Sequence, residues 1–230
     1  MLNLWMYWVH YECGEEYGTV EALCDIDPPH GYAYGMYQFD YRYGLVPMLQ
    51  TCCKHNPTYY NALKQFIALG KKNKALVNNK LLQAYFRVYA SENTKDFLYC
   101  QNKSFIDKYF NEVKANAERC SVPNLNNPYI LGVLGSMSIR DGASGSLTLN
   151  AINAMTETDD VREQIRKAYN VFDSYFYPKG DDRWSREMAK CLQDYGSNAN
   201  VHDIESEPER ALTITLNIMD NGTVSGIVEV

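Results

Sequence analysis

The chain has 230 residues, which is enough for one large domain or two small ones. Hydrophobic residues make up 46% of it and charged residues 22%, a balance that predicts a folded protein with a core and excludes a disordered or collagen-like chain. Its 22 basic and 28 acidic side chains leave a formal net charge of −6, which argues against general electrostatic binding to nucleic acid or to an anionic membrane.

Two further exclusions concern membranes and cysteines. No apolar run approaches the roughly 18 residues that suggest a membrane-spanning helix, and the apolar start lacks the basic leader and cleavage site of a signal peptide. We therefore expect synthesis in a cytoplasm without a signal peptide. The seven cysteines are odd in number and contain no C-x-x-C pair, so they predict neither a disulfide framework nor a zinc site.

The N-terminal part is predicted to form one helix followed by a loop-rich segment. Apolar residues at helical spacing in residues 2–12 predict a helix that ends near Glu12, with Gly14 as a left-handed cap. Residues 18–44 are rich in Gly, Pro, Tyr and Asp, which is typical of loops and short strands.

From residue 58 to the tail, most of the chain is predicted to be helical. Apolar residues three and four apart predict helices over residues 58–69, 74–90, 95–119, 147–155, 158–175 and 181–196. Residues 129–139 are apolar but contain Gly132 and Gly135, so we expect a buried helix that neighbours approach closely. In the tail, alternating residues at 212–219 and 223–230 flank an Asp-Asn-Gly turn, which predicts a β-hairpin.

Glu12 is the first candidate for chemistry. Its helical neighbours are Val9 and Trp8, so we expect its carboxyl to lie against apolar surface at a helix C-terminus, where burial and the helix dipole disfavour the ionised form. A carboxyl that keeps its proton near neutral pH is suited to general acid catalysis. The alternative is a solvated Glu at a frayed helix end.

Asp25 and Asp27 lie in the loop-rich segment just before two prolines. An exposed loop aspartate stays ionised and could accept a proton from water, although aspartates are also common as simple turn residues. One shielded and one solvated carboxyl beside an aromatic, Gly-rich cleft is the arrangement that glycoside hydrolysis requires.

Three short segments near the N-terminus occur in a fixed order: YECG at residues 11–14, GTV at 18–20 and DPPHGYAYGMYQF at 27–39. Together they resemble the chitosanase-like family of phage and bacterial cell-wall lysins, and through it the family 46 glycoside hydrolases with their lysozyme-like fold. LGSMSIRDG at 134–142 and RWSRE at 183–187 resemble two later segments of that family. The resemblance covers most of residues 5–195 and excludes the tail.

The resemblance implies roles for individual residues. Glu12 matches the family's acid and Asp27 its base, while an extra residue in the turn keeps Asp25 as a rival base. The matching cleft wall consists of Gly31, Tyr32, Tyr34, Gly35, Tyr37 and Gln38. Arg140 and Asp141 replace a Gln-His pair at the expected substrate contacts, and Arg140 could bind a carboxylate or an acidic sugar substituent or form an ordinary surface ion pair.

The resemblance also implies the fold and the activity. We expect a mainly α (α+β), two-lobed, lysozyme-like fold, with a catalytic domain over residues 1–196 and a linker and C-terminal hairpin over 197–230. The expected activity is inverting hydrolysis of peptidoglycan or a related aminosugar polymer, without metal or cofactor. A virion component or a holin-type membrane protein would bring the enzyme to the cell wall. The alternative is a non-catalytic wall-binding or virion structural protein.

Cysteine-based sites are weaker alternatives. Cys13 with His10, or Cys24 with His30, could form a thiol nucleophile and base, but two glutamates follow Cys13, whereas a catalytic thiolate needs positive surroundings. The CCKH segment at residues 52–55 could supply metal ligands, but no second ligand pair follows at a zinc-like spacing.

Overall fold

Helices form most of the chain in a computed structural model, which describes residues 1–26, 31–57, 60–208, 214–218 and 224–228. The helices are α1 (Trp8–Cys13), α2 (Leu45–His55), α3 (Tyr60–Leu69), α4 (Lys80–Glu92), α5 (Thr94–Phe105), α6 (Asn111–Arg119), α7 (Pro128–Arg140), α8 (Ser146–Met155), α9 (Val161–Phe176) and α10 (Arg183–Ser197). The strands are β1 (Asn3–Trp5), β2 (Leu23–Ile26), β3 (Gly31–Tyr34), β4 (Val201–Asp203), β5 (Ile214–Ile218) and β6 (Val224–Val228). The expectation of a mainly helical fold with a small antiparallel β part is confirmed.

The strands form three separate antiparallel pairs within the described residues: β1 with β4, β2 with β3, and β5 with β6. The β2–β3 pair lies in the segment predicted to hold loops and short strands. In the tail, Ile214 lies opposite Val228, so the strands of the predicted hairpin are present, while the Asp-Asn-Gly turn lies outside the described residues. The described part of the chain contains no helix long and apolar enough to cross a membrane.

The first helix is shorter than predicted. Residues 3–5 form strand β1, which pairs with β4 so that Leu4 lies opposite His202. The buried indole of Trp5 donates a hydrogen bond of 2.9 Å to Asp194 in α10. Pairing with a distant strand therefore overrides the local helical spacing. The predicted end of α1 is confirmed, because Gly14 has a φ of 78° and its N–H bonds to His10.

Other helix boundaries also differ from the predictions. Helix α2 was not predicted at all, although its apolar side chains are buried. The helix predicted over residues 74–90 is interrupted, because the Asn79 side chain accepts the N–H of Leu82 and starts α4 at Lys80. Helix α10 continues past Gly196 and ends at Ser197, where the following Asn198 has a left-handed φ of 54°.

Helix α7 lies at the centre of the core and is buried along most of its length. A Cβ atom on Gly132 would lie 2.4 Å from the carbonyl oxygen of Trp5. On Gly135 it would lie 3.3 Å from Phe105 and 3.4 Å from Trp8. The predicted close approach of neighbours to this helix is confirmed, and it places β1 and α1 directly against α7.

Candidate functional site

Glu12 lies in the last turn of α1, just before the left-handed Gly14. Its side chain is only 10% exposed, and its carboxylate accepts a hydrogen bond from the guanidinium of Arg183. The surroundings that the sequence suggested for Glu12 are therefore wrong in one respect. The carboxyl is shielded, but it faces a guanidinium, because α10 brings Arg183 to the end of α1.

Arg183 connects Glu12 to a second, more deeply buried carboxyl. Its Nε lies 3.3 Å from Oε2 of Glu187, one turn further along α10, and the Glu187 side chain is fully buried. The Tyr169 hydroxyl of α9 donates a hydrogen bond of 2.7 Å to the other oxygen of Glu187. One guanidinium thus serves two carboxyls in a site that is largely closed to water.

Burial dominates the electrostatics of this cluster. It raises the pKa of Glu187, against the opposing effect of Arg183. For Arg183, burial alone would lower the pKa, but the charges and hydrogen bonds of Glu12 and Glu187 outweigh it and raise the pKa overall. Burial therefore favours the protonated form of the Glu187 carboxyl, even with the Arg183 guanidinium beside it.

Sequence reasoning assigned no role to Arg183 or Glu187, although both belong to the RWSRE segment that carried part of the resemblance. Their spacing of four residues places them on one helix face, next to the buried Trp184. That spacing indicates a pair between Arg183 and Glu187, but nothing local in the sequence indicates that Arg183 contacts Glu12.

The aspartates can be placed only in part. Asp27 lies outside the described residues. The backbone of Asp25 belongs to β2 and lies opposite Tyr32 of β3, so residue 25 is part of a strand and not of an open loop. The thiol of Cys24 donates a hydrogen bond of 3.1 Å to the carbonyl oxygen of Cys13. This contact joins β2 to the end of α1, one residue from Asp25 and one residue from Glu12.

The predicted cleft wall is mostly structural. Tyr34 and Tyr37 are each only 1% exposed, so their rings belong to the core and cannot stack on a sugar, contrary to expectation. Tyr37 stacks on Phe105 with ring centroids 4.5 Å apart and donates a hydrogen bond to Asn102. Gly35 is buried, and a Cβ atom there would lie 2.2 Å from the Gln101 amide oxygen.

The remaining wall residues divide between buried and accessible positions. Gly31 is buried, Tyr32 and Gln38 are half-buried, and the Gln38 amide donates to the carbonyl oxygen of Gly35. Lys80 lies over the Tyr32 ring at 5.4 Å from its centroid. Two further tyrosines of the Gly-rich segment at residues 18–44 were not assigned to the wall: Tyr43 is exposed and Tyr41 is half-buried. Tyr32, Gln38 and Tyr43 therefore keep the accessibility that a contact with substrate requires.

The Arg140–Asp141 turn also has structural contacts. An Asp141 carboxylate oxygen accepts the N–H of Thr148 at 3.0 Å and so caps the start of α8. Arg140 is exposed, with its guanidinium 4.9 Å from the centroid of the Phe176 ring. Capping accounts for Asp141 without a substrate, while Arg140 is free to contact one.

The cysteine alternatives receive no support from the described residues. Burial raises the pKa of the Cys13 thiol to about 11, and this thiol points to the Val9 carbonyl oxygen, so it stays protonated near neutral pH. His30 lies outside the described residues. His55 contacts the carboxylates of Asp96 and Glu207, and the described residues contain no group of three or more ligands suited to a metal ion.

No protein-family model, curated protein or solved structure matches the chain. Any function assigned to the chain therefore rests on its own residues.

Proposed function

We propose that the chain is a glycoside hydrolase with a two-lobed, lysozyme-like fold that cleaves peptidoglycan or a related aminosugar polymer with inversion. The observation that carries this proposal is the placement of Glu12. Its shielded carboxyl lies at the end of α1, beside β2, the strand that leads to Asp27, and in contact with a charged pair buried behind it.

In this proposal Glu12 protonates the oxygen of the leaving sugar, and Asp27, or its rival Asp25, activates a water molecule on the opposite face of the ring. Inverting enzymes hold the two carboxyls about 6.5–9.5 Å apart to leave room for that water. The accessible candidates for contacts with the substrate are Tyr32, Gln38, Tyr43 and Arg140.

In the proposed cycle, Arg183 and Glu187 are the buried groups next to the proton donor Glu12. While Glu12 carries the proton to be transferred, the guanidinium of Arg183 stays beside Glu187. Once the proton passes to the leaving oxygen, Arg183 pairs with the new Glu12 carboxylate and stabilises it. Arg183 is therefore a positioning residue that acts through Glu12.

The natural setting follows from the substrate. A wall-degrading enzyme made in a host cytoplasm reaches the peptidoglycan either in a virion or after a holin-type protein opens the membrane. The proposed acid–base chemistry itself requires no metal and no cofactor.

The test is the release of reducing ends from purified peptidoglycan and from chitosan. Wild-type protein should release them, and Glu12→Gln should lower the rate by about 10²–10⁴-fold because the proton donor is lost. Asp27→Asn and Asp25→Asn, compared side by side, identify the base. Glu15→Gln is the matched control, because Glu15 is an exposed neighbour of Glu12 and should change the rate little. Full activity of Glu12→Gln would refute the assignment.

A non-catalytic wall-binding or virion structural protein is the second candidate. The ion pair between Glu12 and Arg183 favours it, because buried ion pairs also occur as purely structural features. Tight binding to the polymer by wild-type protein, with no reducing ends at any pH between 4 and 8, would decide for this candidate.

A further inference from the structure

Helices α8 and α9 border a shallow, open groove of about 530 Å³ on the surface. Six residues line it: Leu147, Asn150, Asn170, Val171, Ser174 and Tyr175. None of these side chains is charged. Leu147 and Val171 supply an apolar floor, and Tyr175, which is 50% exposed, supplies an aromatic ring at one end.

The polar side chains of the groove are free to bind a ligand. Asn150, Asn170 and Ser174 are exposed, and none of the three side chains has a hydrogen-bond partner among the described residues. Side-chain amides both donate and accept hydrogen bonds, as sugar hydroxyl and acetamido groups do. The Tyr175 ring is held by Lys179, whose Nζ lies 3.1 Å from the ring centroid.

The groove is separate from the Glu12 site. Successive residues of an α-helix are rotated by about 100°, so Asn170 and Val171 project away from Tyr169. Tyr169 faces α10 and bonds to Glu187, whereas Asn170, Val171 and Ser174 face α8. Helix α9 therefore lies between the groove and the charged cluster.

The geometry points to a second carbohydrate-binding site in this groove, which takes an uncharged, N-acetylated aminosugar unit. This inference rests on the proposed function only in its choice of polymer. The apolar floor suits the acetamido methyl group and the C–H face of a sugar ring, and the exposed amides suit the acetamido and hydroxyl groups. A polymer held there would raise the local concentration of further units at the Glu12 site.

Binding is measured in the Glu12→Gln background, so that cleavage does not change the ligand. The probes are insoluble chitin, which is N-acetylated, and chitosan, which carries free amines. The full chain should bind chitin, and Tyr175→Ala and Asn170→Ala should each raise the apparent Kd about tenfold. Tyr177→Ala is the matched control, because Tyr177 is 61% exposed but does not line the groove, and this variant should bind as the parent does.

Asn170→Asp is a second variant that changes charge but not size, and it should shift the preference from chitin towards the cationic chitosan. Unfolding midpoints of all variants should match that of the parent, since every changed side chain is exposed. Unchanged chitin binding by both Tyr175→Ala and Asn170→Ala would overturn the inference. If the enzyme proposal alone is wrong, wild type releases no reducing ends, yet these variants still weaken binding.

Discussion

Arg183, the first residue of α10, binds the carboxylate of Glu12 at the end of α1, although 171 positions separate them in the chain. The same guanidinium lies against the fully buried Glu187. The packing of α10 on α1 therefore sets the charge that surrounds the proposed proton donor.

Replacing Arg183 should affect stability as well as activity. Arg183→Ala leaves Glu187 buried without its cation, which should lower the free energy of unfolding by about 3–5 kcal/mol, as when other buried pairs are broken. Arg183→Lys keeps a charge but loses the planar fork of guanidinium donors that contacts Glu12 and Glu187, so it should be intermediate in stability and should shift the pH profile of reducing-end release. Urea unfolding and the pH profile measure the two effects.

Arg186→Ala is the control for that experiment. Arg186 lies on the same helix and pairs with Asp182, but both side chains are more than half exposed, so the change should cost about 0–1 kcal/mol. If Arg183→Ala and Arg186→Ala unfold at the same urea concentration, the buried pair has no special importance for the fold.

Glu187 should make stability fall as pH rises. Its pKa in the folded protein is raised above the ordinary value of 4.5, so the folded state binds a proton more tightly than the unfolded state does. The resulting stabilisation is present at pH values below about 4.5 and is lost as pH rises through the folded pKa, by about 1.4 kcal/mol for each unit between the two pKa values. The free energy of unfolding of wild type, relative to Glu187→Gln, should therefore decrease from pH 4 upwards. A relative stability that rises over this range would contradict the assignment.

The sequence correctly predicts those structural features that depend on a local residue pattern. Helix α9 begins close to the predicted start at residue 158, with Asp160 as its cap accepting the N–H of Glu163 at 2.8 Å, and the glycines of α7 do meet close neighbours. The cap depends on residues within a few positions of one another. The close approach to α7 depends on the absence of a side chain at its glycines. The helical spacing in residues 2–12 predicts the wrong structure at residues 3–5. The backbone there pairs with strand β4, about 200 residues away in the chain.

The candidate site was less predictable for the same reason. Helical spacing identified Glu12 as a shielded carboxyl at a helix end, which the structure bears out in its low exposure. The contact of Arg183 with Glu12 depends on the packing of segments far apart in the chain. The burial of Tyr34 and Tyr37 depends on such packing too, and Tyr37 contacts Phe105 and Asn102 of α5. An aromatic residue in a Gly-rich segment suits a core as well as a cleft, and composition alone does not separate the two.

Gly132 should tolerate no side chain. In Gly132→Ala the new Cβ atom would lie 2.4 Å from the Trp5 carbonyl oxygen, a backbone atom that can move only if β1 shifts. We expect a loss of about 1–3 kcal/mol in the free energy of unfolding, as for other overpacked cores. Gly196→Ala in α10 is the matched control, because its nearest contact is the flexible end of Arg162 at 3.3 Å. It should gain about 0.5–1 kcal/mol from helix propensity. Equal stability of the two variants would show that β1 does not pack on α7 as described.

Thiol labelling separates the acid–base proposal from the cysteine-nucleophile alternative. At pH 8, iodoacetamide should modify Cys120, which is exposed, well before Cys13, which is buried and whose pKa is raised by burial to about 11. The thiolate is the reactive form, so at this pH only about one Cys13 thiol in a thousand is ionised. Mass spectrometry of tryptic peptides after short exposure gives both rates in one experiment. Reducing-end release should survive this labelling and should also survive Cys13→Ser. Rapid alkylation of Cys13 together with loss of activity would instead make it the nucleophile and leave Glu12 with a structural role.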